Sequence, residues 1–141
     1  MGLNAVVFKN VRDLEVRYGA GRFEVDELTG EAIQKLNASA VIPRDAYFAM
    51  KRRIGNSAEI ASLREMSSKV LVVEGSLILD RILCSGSHSG DSITANEFPQ
   101  IRKEINWIKA QNCGIELNSF IESMESLLDA AEVARNPIVF V

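Results

Sequence analysis

The chain has 141 residues, of which 47% are hydrophobic and 25% charged, and its net charge is −3. That length supports one domain, residues 1–141, with a real core and falls short of two ordinary ones, while the mild acidity argues against general nucleic-acid binding. One histidine and two separated cysteines, Cys84 and Cys113, argue against a disulfide framework and against any metal site.

The start lacks the basic flank and apolar length of a secretory signal, and Val6 stands where a myristoylation signal wants Ser or Thr. No run approaches the ~18 apolar residues of a membrane span. A cytoplasmic, reducing setting without membrane contact is expected.

Residues 3–8 are apolar on both faces and predict a buried strand. Residues 14–18 and 22–26 alternate apolar and charged, the period of half-buried strands. Gly30 suits a reversal near Thr29, with residues 32–36 as the return arm of a hairpin; a helix over 30–37 is the competing reading. Residues 37–42 read as a loop. Pro43 can open a helix in which Tyr47, Met50 and Ile54 share one face over 45–54, with Lys51-Arg52-Arg53 at its C-terminal end. Gly55-Asn56 stops it, and Ser57 caps a further helix carrying Ile60, Leu63 and Val70. Residues 70–73 are either a strand or the end of that helix, and 77–83 predict a short buried helix.

The signal sharpens after residue 92. Thr94 and Glu97 match a capping box, and Phe98, Ile101, Ile105 and Ile108 make one helical face. Trp107 lies off that face. Asn112-Cys113-Gly114 separates this helix from a longer one whose apolar positions run from Leu117 to Ala131. Asn136-Pro137 ends it, and residues 138–141 predict a buried terminal strand beside residues 3–8. The expected fold class is α+β: a small, mostly antiparallel sheet of N-terminal strands and the C-terminal strand, packed against four to five helices.

Between the helix at 77–83 and the capping box lies Cys84-Ser85-Gly86-Ser87-His88-Ser89-Gly90-Asp91-Ser92. A histidine oriented by a carboxylate is half of a nucleophilic arrangement, so His88, Asp91 and a serine such as Ser87 are the catalytic candidates. No nucleophile elbow or oxyanion-hole motif accompanies them. The competing reading is a ring that bonds backbone and holds the loop's shape. Ser85, Gly86, His88, Asp91, Arg53 and Asn56 are the binding candidates; the loop lacks the lysine of a P-loop, and no cofactor is implied. Carboxylates of the last helix, Glu116, Glu122, Glu125, Asp129 and Glu132, form either a solvated face or an acidic docking surface.

Several segments together resemble a group of small uncharacterised bacterial proteins. They are Met1-Gly2-Leu3-Asn4-Ala5-Val6-Val7, Arg53-Ile54-Gly55-Asn56 with Leu63-Arg64-Glu65, the Gly86-Ser87-His88-Ser89-Gly90-Asp91 loop, and Asn136-Pro137-Ile138-Val139-Phe140. The likeness covers most of residues 53–141 and the first strand, and fades over roughly 10–45. The loop and the helix after it are also similar to immunity proteins encoded beside polymorphic bacterial toxins. That resemblance implies a protein-binding module with a cognate toxin as partner, and carries over no catalytic residue. The alternatives are a small ligand binder or hydrolase-like enzyme built on the 85–92 loop, and a homodimer using exposed apolar surface such as Trp107.

Overall fold

Both apolar ends of the chain meet inside one sheet. The computed structural model describes residues 2–35, 41–71 and 74–141. These form six strands: β1 (Leu3–Phe8), β2 (Phe23–Val25), β3 (Ala32–Gln34), β4 (Phe48–Gly55), β5 (Ser92–Ile93) and β6 (Ile138–Phe140). The α-helices are α1 (Val11–Tyr18), α2 (Ser57–Val70), α3 (Phe98–Ala110) and α4 (Ile115–Ala134), and a π-helical turn spans Ile78–Ile82. The fold is α+β. Its main sheet has the order β4-β1-β6-β5 with every pair antiparallel, and β2 and β3 form a separate hairpin.

β1 sits between β4 and β6, which is why both of its faces are apolar: Ala5, Val6 and Val7 are wholly buried. On one side Val6 opposes Val139 and Ala5 opposes Phe140, and Asn4 exchanges backbone hydrogen bonds with Val141 at 3.0 and 2.9 Å. α4 packs on β1, β4 and β6. Its Leu117, Phe120, Ile121, Met124, Leu127, Leu128 and Ala131 are all buried, the stripe that three- and four-residue spacing dictates. Burying each large side chain contributes about 1.5–3 kcal/mol, so α4 supplies much of the core. It ends at Arg135 in the left-handed region (φ 56°), and the Asn136 amide bonds back to the Ala131 carbonyl at 3.2 Å.

Residues 14–18 are helical, in α1, where alternation predicts a strand. Only Leu14 of α1 is buried; Val16 is 89% exposed, so the alternation there does not mark a buried face. Asn10 accepts from the Arg12 amide at 3.0 Å, and Asp13 and Arg17 lie at the ends that suit the dipole.

Residues 45–54 also depart from expectation. A 3-10 turn at Arg44–Tyr47 leads into β4, so Lys51-Arg52-Arg53 lies on an edge strand and not at a helix end. The register from Leu3↔Gly55 to Phe8↔Phe48 gives β1 its second partner. A helix there would strip β1 of those bonds, and a buried strand with unpaired backbone is costly. The cap of α2 is Asn56, one residue before Ser57. Residues 36–40, in the expected loop and return arm, and residues 72–73 lie outside the described residues.

The hairpin forms where Gly30 predicts it. Gly30 has φ 75°, and a Cβ there would lie 2.2 Å from Asn136 Oδ1. Asn136 in turn donates from Nδ2 to the Phe8 carbonyl at 2.8 Å, so the turn is wedged against the junction of α4 and β6. Gly30→Ala is therefore expected to destabilise by ~1–3 kcal/mol through left-handed strain and displacement of Asn136. Urea denaturation checks this; an unchanged midpoint would contradict it.

Glu104 is the one buried side chain on α3 that its apolar stripe does not explain. It is 3% exposed, and its carboxylate accepts from the Leu77 amide at 3.0 Å, the Ile78 amide at 3.2 Å, Gln100 Nε2 at 3.2 Å and the Ser76 hydroxyl. It thereby caps the π-helical turn from another element.

Candidate functional site

The polar loop begins where that turn ends, and it straps one part of the fold to another. Gly86 touches the first turn of α2: a Cβ there would lie 2.7 Å from Ser57 Oγ and 2.9 Å from Ser57 Cα. Only a residue without a side chain allows this approach. Four residues later the strap reaches β6, with the Gly90 amide donating to the Phe140 carbonyl at 2.7 Å and the Phe140 amide to the Asp91 carbonyl at 2.9 Å. Ser92 and Ile93 continue the pairing as β5, so Ser92 belongs to a strand. Arg81 fixes the far end, donating to the Ser92 carbonyl at 2.7 Å and pairing with Glu97.

His88 points into this strap. Its side chain is 8% exposed, Nε2 is 2.8 Å from the Ile82 carbonyl oxygen, and the ring meets Phe140 edge-on at 4.5 Å between centroids. Nδ1 lies 3.5 Å from Asp91 Oδ2 and has no hydrogen-bond partner among the described residues. Neither ring nitrogen meets a serine hydroxyl there. Ser85 Oγ accepts from the Ser87 amide at 3.3 Å, a local turn contact. The structure therefore joins His88 to Asp91 but not to Ser87.

Arg53 and Asn56 make a second cluster at the start of α2. Asn56 Oδ1 accepts from the Glu59 amide at 2.9 Å, and Glu59 Oε1 takes the Asn56 amide at 3.2 Å. Arg53 grips the same carboxylate with two bonds, the one from Nη1 at 2.9 Å. Through Ser57, Gly86 abuts this cluster, whereas no hydrogen bond or ion pair joins it to His88 or Asp91 among the described residues. Beside it runs a groove of about 420 Å³ between α2 and α4, with Leu63, Met66 and Phe120 among its walls and exposed Ile115 on its lining.

The Arg53 hydrogen bonds, and after them that of the Asn56 amide, pull the Glu59 carboxyl down to about 2 from an ordinary 4.5. A carboxyl depressed on folding stabilises the native state in full above its unfolded value and loses that contribution as pH falls toward its folded one. The Arg53–Glu59 contribution is thus complete above about 4.5 and vanishes on descent to about 2. An NMR titration of the Glu59 carboxyl should show the low midpoint, returning toward 4.5 in Arg53→Ala. Titration at the ordinary value in the unaltered protein would contradict the bidentate pair.

The carboxylates of α4 are partly neutralised from α3. Arg102 bonds Asp129 at 2.9 Å and Glu132 at 3.0 Å, and Lys109 pairs with Glu125 at 3.3 Å. Trp107 is 56% exposed, with Nε1 donating to the Val70 carbonyl at 2.7 Å. Among the described residues no cluster of three or more His, Cys, Asp or Glu could hold a metal ion, and no helix is long and apolar enough to cross a membrane. No protein-family model, curated protein or solved structure matches the chain.

Proposed function

We propose that the chain is a protein-binding module of the immunity type, which neutralises a cognate toxin by direct binding. The observation that carries the reading is β4. It is eight residues long, it pairs with β1 alone among the described residues, and Ala49, Lys51, Arg52 and Arg53 are all exposed. A strand with one bare edge is a template for another chain. The groove next to Arg53 extends the same surface toward α2 and α4. The likeness of the 85–92 loop and its following helix to immunity proteins supplies the biological setting. His88, held by Ile82 and Phe140, is assigned a bracing role in this reading.

The test is co-expression with the product of the adjacent gene. Growth rescue and a stable complex on size exclusion are expected. A neighbour that is not toxic, or one that forms no complex, defeats the immunity reading.

A further inference from the structure

The outer edge of β4 has a definable polarity and a definable charge. Asn4 turns its backbone groups toward β6, where it exchanges two bonds with Val141. Antiparallel pairing alternates, so Leu3, Ala5 and Val7 turn theirs toward β4 and meet Gly55, Arg52 and Met50. Lys51, between two of those partners, directs its amide and carbonyl away from the sheet, and the regular alternation ends at Arg53, where the register shifts between Asn4 and Leu3. The Lys51 carbonyl takes a hydrogen bond from Arg52 Nη1 at 3.1 Å, a side-chain cap where a neighbouring strand would otherwise donate.

Charge on this edge runs against the rest of the molecule. The chain carries −3 overall, yet residues 44–53 hold Arg44, Lys51, Arg52 and Arg53 against one carboxylate, Asp45. Arg53 is paired with Glu59. Lys51 and Arg52 have no carboxylate partner among the described residues; Lys51 and Arg44 instead lie 5.7 and 5.9 Å from the centroid of the Phe48 ring. A second copy pairing edge to edge would bring like cations together, which is destabilising and is a known protection of edge strands. The same cations favour an incoming strand that bears carboxylates.

We infer that the β4 edge takes an extended acidic segment of another protein, which adds a fifth strand beside Lys51. The inference rests on the protein-binding reading and specifies the chemistry of its partner. Backbone bonds to Lys51 supply the register, carboxylates on the face that Lys51 occupies supply selectivity, and Arg52 on the opposite face adds to the positive field that speeds encounter.

The probe is a synthetic peptide of about eight residues, matched to the length of β4, alternating threonine and glutamate and blocked at both ends. It is titrated into the isotope-labelled full chain and followed by NMR. Saturable shifts centred on the amides of residues 49–53 are expected. Affinity should fall about tenfold or more for the same peptide with lysine in place of glutamate, and for Lys51→Glu combined with Arg52→Glu. N-methylation of alternate peptide amides, in both possible phases, should abolish binding in the phase that faces β4; this variant leaves the protein untouched. Equal binding of both N-methylated peptides, shifts centred elsewhere, or no shift of these amides at about millimolar peptide would overturn the proposal. The two readings separate cleanly. A toxin complex indifferent to Lys51→Glu with Arg52→Glu removes the edge and keeps protein binding, whereas strand addition without a toxin complex keeps the edge and removes immunity.

Discussion

Phe140→Ala should cost about 3–5 kcal/mol, the range for emptying a large aromatic from a packed core. Phe140 is wholly buried in the last strand of the chain. Its backbone pairs with Ala5 on one side and with Gly90 and Asp91 on the other, and its ring is the surface on which His88 lies. One truncation thus opens a cavity at the point where β1, β6 and the polar strap converge. Against a typical total of about 5–15 kcal/mol, the loss is large. Val141→Ala is the control: Val141 is 40% exposed, and its backbone bonds to Asn4 survive the change, so a shift within about 0.5 kcal/mol is expected. Urea denaturation with an unchanged slope reads both values. A Phe140→Ala effect as small as that of Val141→Ala would mean that the terminal strand is not part of the core.

Glu104→Ala should be the second large effect, about 3 kcal/mol. The buried carboxylate receives two backbone amides, the Ser76 hydroxyl and Gln100 Nε2. Removing an acceptor leaves each buried donor with its desolvation penalty, about 1–3 kcal/mol apiece before relaxation, so even partial access of water leaves a substantial loss. Glu104→Gln separates shape from chemistry. It retains the volume and one acceptor oxygen but turns an NH2 toward the same donors, and an intermediate loss is expected. Hydrogen exchange at Leu77 and Ile78 should accelerate in both variants. A neutral Glu104→Ala would mean that the π-helical turn finds its capping elsewhere.

Glu104 also marks where the sequence stops being readable. Phe98, Ile101, Ile105 and Ile108 announce a helical face by spacing alone, and so do the apolar positions of α4; all of them are buried. Glu104 lies on the same helix, but apart from Gln100 its donors come from residues 76–78, which no local pattern connects to it. β4 was obscured for a related reason. Tyr47, Met50 and Ile54 fall at helical spacing by coincidence, and what makes 48–55 a strand is the hydrogen-bonding demand of β1, forty residues earlier in the chain. In α1 the alternation of Leu14, Val16 and Tyr18 imitates a strand, yet Val16 is left in water. The polar loop was visible as a loop because glycine and serine interrupt two apolar runs. Its anchors were not, since Ser57 and Phe140 lie far from it in sequence. The candidate residues consequently fall into two groups, His88 with Asp91 at the β6 end of the strap and Arg53 with Asn56 at the start of α2, touched by Gly86.

Native-state hydrogen exchange at Gly90 tests the bracing role of the loop most directly. Its amide lies in a turn outside regular structure but is bonded to the Phe140 carbonyl at 2.7 Å. Protection comparable to that of the Phe140 amide, lost together with it in Phe140→Ala, is the predicted result. Exchange of Gly90 at the rate of an open loop while Phe140 stays protected would show a strap that is not fastened to the sheet, and would remove the bracing role proposed for His88.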